Sequence, residues 1–190
     1  NADVKDGTKF PKRDLEQNLL GTHNLLEAMR KKNIKKILFS STGSIYGEAK
    51  KIPTPENYEI PLQTSMYAAS KFSAESFIQA YSEAYNIKSV IFRFVSVLGN
   101  RYTHGHVFDF YKKLSLNPKK LNVLGNGLQK KSYMHIDDCC EAVYYISKYK
   151  LSNKVEIFNL GFNGYCEVRD SVKWITNYLG LKPKIFYGKE

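Results

Sequence analysis

Two hydrophobic periods alternate along this chain, and their order predicts its elements. Leu15, Leu19, Thr22, Leu26 and Met29 recur every three or four residues, which gives a helix with one apolar face; Asp14 is its candidate N-cap, with Gln17 three residues on, and it runs to Lys32. Residues 35–42 then read as a strand in which Ile37-Leu38-Phe39 runs into Ser40-Ser41-Thr42. Residues 48–65 carry Pro53, Pro55 and Pro61 and form a surface loop. Tyr67 to Tyr85 returns to the helical period, with Tyr67, Lys71, Ala74 and Ile78 on one side, and Lys88 to Val97 is a near-continuous apolar run, the mark of a strand buried on both faces.

The remainder predicts a helix from Val107 to Leu116, a strand Leu121–Leu124 closed by Gly125-Asn126-Gly127, and a short extended piece Ser132–Ile136. Asp137 or Asp138 then caps a helix running to about Lys148. A strand Val155–Leu160, a helix Val168–Leu179 stopped by Gly180, and a strand Lys184–Tyr187 complete the chain. Helix alternating with strand predicts an α/β class built on a parallel sheet.

Composition narrows the class. A chain of 190 residues with 43% hydrophobic content can bury one core. The net charge of +11 invites a nucleic-acid reading, but lysines scattered along the whole chain supply nearly all of it. Phosphate-reading surfaces concentrate Arg and Lys on one element, so a lysine-rich solvated surface is preferred and no nucleic-acid partner is expected, while the charge suits an anionic substrate. Cys139, Cys140 and Cys166 are odd in number and lack Cys-x-x-Cys or Cys/His spacing, so neither disulfides nor a metal is expected and a reducing cytoplasm is. No apolar run reaches the ~18 residues of a membrane span.

Chemistry enters at Tyr67-Ala68-Ala69-Ser70-Lys71. A tyrosine and a lysine four apart share one helix face, where the ammonium can sit beside the phenol. A phenol titrates near ~10 in isolation and needs such a cation to serve as a base at neutral pH. Taken alone, the pattern is also that of a solvated helix face. Upstream, the strand that ends in Ser40-Ser41-Thr42 turns at Gly43 and Gly47, and strand ends of open α/β sheets are where ligands bind.

Phe39-Ser-Ser-Thr-Gly-Ser-Ile-Tyr-Gly47, followed by Tyr67-Ala-Ala-Ser-Lys71 and Glu75, resembles the extended short-chain dehydrogenase/reductase family, and its nucleotide-sugar epimerase branch of the UDP-glucose 4-epimerase type in particular. The resemblance implies a Rossmann-like doubly wound parallel sheet, NAD as cofactor, a UDP-sugar substrate, a homodimer, and a catalytic set of Thr42, Tyr67 and Lys71. Ser40, Ser41, Tyr67 and Lys71 would face the cofactor, with Lys71 bonding the nicotinamide ribose. Thr42 would hold the sugar hydroxyl whose proton Tyr67 takes; the plainer reading of Thr42 is a strand-end threonine in a turn. Asn18, in Asn18-Leu-Leu-Gly21, would bond backbone near the active site as structural support, or be an ordinary polar helix residue.

Two substrate-binding positions depart from the family's pattern. Arg93-Phe-Val-Ser-Val-Leu-Gly-Asn-Arg101 has Ser96 where the family has a phosphate-contacting asparagine, and a packed strand is the alternative. Leu124-Gly-Asn-Gly-Leu-Gln-Lys-Lys-Ser-Tyr-Met-His-Ile-Asp-Asp138 has Lys131 where an arginine clamps the diphosphate; lysine keeps the charge and loses the fork. His135 reads as a structural hydrogen-bonder and Asp137-Asp138 as capping residues, not as a metal or acid pair.

No Gly-rich dinucleotide turn occurs anywhere in the chain. The chain is therefore expected to be a fragment, preceded by two βαβ units of ~30 residues each and extended beyond Glu190. Residues 1–100 would be the later part of the NAD-binding domain, and residues 101–190 substrate-binding elements interleaved with late strands and helices. The activity expected of the intact protein is 4-epimerisation through a transient 4-keto sugar. A decarboxylase, reductase or dehydratase of the same family, or a catalytically silent binding or scaffold relative, is the alternative.

Overall fold

The computed structural model describes residues 1–2, 4 and 7–188. In chain order it has α1 (Pro11–Asp14), a π-helical stretch (Leu15–Leu20), α2 (Gly21–Lys31), β1 (Lys36–Thr42), a 3₁₀ turn (Gly43–Tyr46), α3 (Met66–Tyr85), β2 (Lys88–Phe94) and β3 (Ser96–Leu98). These are followed by α4 (His106–Leu116), β4 (Lys120–Val123), β5 (Lys130–Lys131), β6 (Tyr133–His135), α5 (Ile136–Lys148), β7 (Val155–Leu160), β8 (Cys166–Glu167), α6 (Val168–Tyr178) and β9 (Lys184–Tyr187). No helix among the described residues is long and apolar enough to cross a membrane.

The expected elements form close to their expected bounds, with three corrections. Helix begins at Pro11, whose fixed φ suits a first turn, so Asp14 lies inside it and is buried instead of capping it. The apolar run 88–97 breaks at Val95, because Lys88–Phe94 and Ser96–Leu98 pair with different strands. Asp137 and Asp138 sit in the first turn of α5, which starts one residue earlier, where carboxylates favour the positive end of the helix.

The chain divides into two compact units, residues 1–95 with 140–160, and residues 96–139 with 161–190. The first is built on a parallel sheet of order β1-β2-β7. Its central strand β2 is buried on both faces, as its apolar run requires. Ile91 joins Leu26, Met29, Ile37, Ile78 and Ile87 in the core toward α2 and α3, while Val90 and Phe92 pack with Leu151 and with Val143 and Ile146 of α5. Register sets Ser41, Arg93 and Asn159 side by side across the carboxyl ends of the three strands. α3 starts at Ser65, whose hydroxyl accepts from the Ala68 N–H at 3.4 Å, and ends at Asn86 in the left-handed region.

The second unit holds short pairs: β3 with β6 and β4 with β9 in parallel, and β5 with β8 antiparallel. Its core is Phe110 and Leu114 of α4, Leu121 and Val123 of β4, and Val168 and Val172 of α6. A capping box opens α6, the Glu167 N–H donating to Asp170 at 2.9 Å, and Gly180 at φ +65° lets the chain leave it.

Ile78 is fully buried at the centre of the first core, whereas Leu62 is 94% exposed on the proline-rich loop. Ile78→Ala should lower unfolding free energy by about 2–5 kcal/mol and Leu62→Ala by less than about 0.5 kcal/mol, read as midpoint shifts in urea titrations.

Candidate functional site at the strand ends

The site begins with how β1 ends. Thr42 is extended, and its hydroxyl oxygen accepts the Ser44 N–H at 3.1 Å, which caps the following 3₁₀ turn and holds the threonine side chain at the strand's carboxyl edge. Tyr67 occupies the first turn of α3, fixed by the Ser65 cap. Both residues are buried, Thr42 at 7% and Tyr67 at 9% exposure; the Thr42 hydroxyl donates to Ser44 Oγ at 3.1 Å, and its influence on the Tyr67 phenol favours the ionised form. One helical turn on, the Lys71 ammonium donates to the Ser40 carbonyl at 2.8 Å and lies 4.9 Å from the centre of the Phe39 ring.

Electrostatics at the phenol differ from the simple expectation of a lysine-activated base. Burial raises the Tyr67 pKa above its ordinary value; Thr42 opposes that rise and the carboxylate of Asp14 adds to it. Burial also pushes the Lys71 ammonium down. Burial thus pushes each group toward its neutral form, the phenol holding its proton more tightly and the lysine less firmly charged.

Ser40 is exposed and contributes its carbonyl to Lys71. Ser41 is buried and turned away from Lys71, its hydroxyl donating to Glu75. Asn18 is buried; its amide donates to Ser70 Oγ at 3.0 Å and Asp14 Oδ1 at 3.3 Å, and its Oδ1 accepts from the main-chain nitrogen of Asn1 at 2.8 Å; Ser70 Oγ in turn donates to the Tyr67 carbonyl at 2.8 Å. Asp14 is 1% exposed and its Oδ2 has no hydrogen-bond partner among the described residues. Thr42, Tyr67, Lys71, Ser40, Ser41 and Asn18 all belong to the first unit.

Ser96 and Lys131 belong to the second. Ser96 is exposed at the start of β3, opposite Tyr133 of β6, and Lys131 is exposed on β5. Near them is a pair that sequence reasoning missed. The Tyr133 hydroxyl lies 2.8 Å from His106 Nε2; burial raises the phenol's pKa strongly, and burial together with the Lys131 charge lowers that of His106. Both shifts favour the uncharged forms of the pair. An apolar cleft of about 430 Å³ in the same unit is walled by Tyr102, Phe108, Tyr133, Trp174 and Tyr178.

The missed network in the first unit had a signal. Arg93 interrupts the apolar run Ile91-Phe92-Arg93-Phe94, and a charge there needs a buried partner. Glu75, three residues before Ile78 on the buried face of α3, supplies it: Arg93 Nη2 and Nε meet the carboxylate at 2.8 and 3.2 Å. Asn159 carried no such signal.

Comparison with known proteins agrees with this arrangement. A family model described as NAD dependent epimerase/dehydratase family matches residues 1–161. A solved UDP-galactose 4-epimerase superposes with a TM-score of 0.90 at 31% identity, over 98% of this chain and 62% of that one. The UDP-glucose 4-epimerase of Thermotoga maritima, solved with UDP-glucose, gives 0.86 at 29% over 100% of this chain and 62% of its own. A dTDP-D-glucose 4,6-dehydratase of Dictyostelium discoideum is 30% identical over 85% of this chain and 39% of its length. The chain thus spans about 60% of the length of the epimerases it matches. With a Rossmann-like α/β sheet, a threonine, tyrosine and lysine gathered at its strand ends, and a family match over most of its residues, the chain belongs to the NAD-dependent epimerase/dehydratase family.

Proposed function

We propose that the full-length protein interconverts a UDP-hexose and its carbon-4 epimer, with Tyr67 as the general acid/base. The observation that carries this reading is the placement of two buried hydroxyl residues in one unit, Thr42 at the end of β1 and Tyr67 in the first turn of α3, with Lys71 one turn along the helix. Thr42 orients the sugar hydroxyl and Tyr67 takes its proton, then returns it after the flat 4-keto sugar has turned over.

NAD supplies hydride acceptance and donation when bound. The donor set present here fits its ribose: of the ammonium's three N–H groups, Lys71 gives one to Ser40 and keeps others to offer a diol. Within the family, dehydratases place Asp-Glu after the threonine to protonate and expel water; here Gly43 and Ser44 follow Thr42. Epimerisation is favoured on that ground. Ser96 and Lys131 are the residues we assign to the substrate's diphosphate, Lys131 through charge.

The intact protein, incubated with UDP-glucose or UDP-N-acetylglucosamine and no added NAD, should yield the carbon-4 epimer by chromatography, since the cofactor is restored in each turnover. Tyr67→Phe should lower that turnover at least ~10²-fold with UDP affinity retained. Net NADH accumulation without epimer would instead identify a dehydrogenase.

Asp14 sets the direction of a pH effect. Its negative charge disfavours the phenolate and raises the Tyr67 pKa. Asp14→Asn removes that charge at constant shape, so the Tyr67 pKa falls and the rising limb of kcat/KM against pH should move to lower pH. A limb unmoved or moved upward would show that Asp14 does not act on the phenol.

Lys131→Ala should weaken UDP binding to the full-length protein by roughly tenfold to a hundredfold, the worth of one charge-assisted bond of ~1.5–3 kcal/mol. Calorimetric titration with UDP checks this. A silent scaffold relative would bind UDP in neither the parent nor the variant.

A further inference from the structure

Thr42 and Tyr67 are the two ends of one connecting segment, residues 43–66. A flexible segment of that length would leave the two hydroxyls free to drift apart. Ala68 and Phe72 of α3 pack in one cluster with Ile45, Tyr46, Tyr58 and Ile60 of the segment, and polar groups hold it as well. Its near end is fixed by Tyr46, whose hydroxyl donates to Asn159 Oδ1 at 2.8 Å and accepts from Arg93 Nη1 at 2.7 Å. Its middle is fixed by Asn159 and Arg93: Asn159 Nδ2 donates to the Thr54 carbonyl at 2.7 Å, the Asn159 N–H donates to Glu56 Oε1 at 2.9 Å, and Arg93 Nη1 donates to the Glu56 carbonyl at 2.9 Å. Its far part is fixed by Gln63, which donates to the Ile45 carbonyl at 2.9 Å.

Arg93 and Asn159 are register neighbours at the carboxyl ends of β2 and β7, and Ser41 is the neighbour on β1. The Glu75 carboxylate binds both Ser41 and Arg93. The same buried cluster thus grips the strand end that carries Thr42, the helix that carries Tyr67, and the segment between them.

We propose that Arg93, Asn159 and Tyr46 are positioning residues, which pin segment 43–66 to the strand ends and so keep Thr42 in reach of Tyr67. The catalytic meaning of that alignment rests on the reading given above; the alignment itself does not. No member of the cluster needs to touch substrate.

The test uses the full-length protein and two soft variants, because Glu75→Gln or Arg93→Ala would strand a buried charge and could prevent folding. Asn159→Ala removes the side-chain anchors of Tyr46 and Thr54; Tyr46→Phe keeps its ring against Tyr58 and removes one hydroxyl. Lys50 and Lys51 are exposed on the segment, so trypsin reports its release, with cleavage there expected about tenfold faster in Asn159→Ala and less so in Tyr46→Phe. The Tyr67 phenol reports alignment through alkaline difference absorbance, each protein measured against its own Tyr67→Phe partner. If the Thr42 hydroxyl moves away, the phenolate loses an influence that favours it, so Tyr67 should titrate at higher pH in Asn159→Ala than in the parent, and kcat should fall about tenfold with KM changed less.

Unchanged cleavage at Lys50 and Lys51 would overturn the pin, and faster cleavage with an unmoved Tyr67 titration would overturn the positioning role. A parent that turns over no nucleotide sugar, but whose variants still show both the faster cleavage and the shifted phenol, would overturn the proposed function and leave the positioning role standing.

Discussion

Everything at the strand ends depends on one buried ion pair, Arg93 with Glu75, at 4% and 0% exposure. Taking two charges out of water costs several kcal/mol per ion, and the pair's mutual attraction offsets this only when every remaining donor and acceptor is used. Here they are used. The carboxylate receives both the guanidinium and the Ser41 hydroxyl, and the guanidinium's outer N–H groups go to the Tyr46 hydroxyl and the Glu56 carbonyl. The arginine's planar fork matters, because a lysine could not address a helix carboxylate, a turn phenol and a loop carbonyl from one rigid plane. Apolar residues of similar volume would fill this place at comparable stability. They would not tie four separate segments to one point.

That constraint explains why the site can work with buried, neutral groups. A phenol whose pKa is raised by burial is a poor base unless its hydrogen-bond donor is held in place, since a donor that wanders by an ångström leaves the ionised form unsupported in a low-dielectric setting. Thr42 is the group that favours the ionised form, and it ends the strand whose preceding residue, Ser41, is tied into the cluster. Asp14 works against Thr42. A buried carboxylate with one oxygen unpartnered is costly in itself, and its charge holds the proton on the phenol. The two influences oppose each other at a phenol whose protonated form is the resting one.

Much of this was legible in the residues. Period alone placed β1, β2, β7, β9 and the long helix α3, because each buries a continuous apolar run or stripe, and the four-residue spacing placed Lys71 one turn from Tyr67. What period could not show was contact between distant segments. Asn159 reads as an unremarked polar residue in the run Val155–Leu160, and its partners Tyr46, Thr54 and Glu56 lie more than a hundred residues away in sequence. The start at Pro11 was missed for a local reason: Asp14 with Gln17 satisfies a capping pattern, but proline three positions earlier starts a helix equally well, and burial of Asp14 beside Asn18 decides between them. The break at Val95 was invisible because both halves of the run are apolar and differ only in which strand they join.

The second unit distributes its polarity in the opposite way, and this bears on selectivity. Lys131 is exposed and carries its charge on a flexible stem, so it contributes attraction that weakens with salt and favours no particular arrangement of phosphate oxygens. Directional groups must do the selecting. Tyr133 and His106, with the hydroxyl of one against the ring nitrogen of the other, spend their donor and acceptor on each other and stay uncharged beside Lys131. Because His106 is already held neutral by burial and by the lysine, it adds no second positive charge for an anion to use. On the proposed function, charge would come from Lys131 and direction from Ser96, opposite Tyr133 in register, a looser hold on a diphosphate than one arginine fork would give.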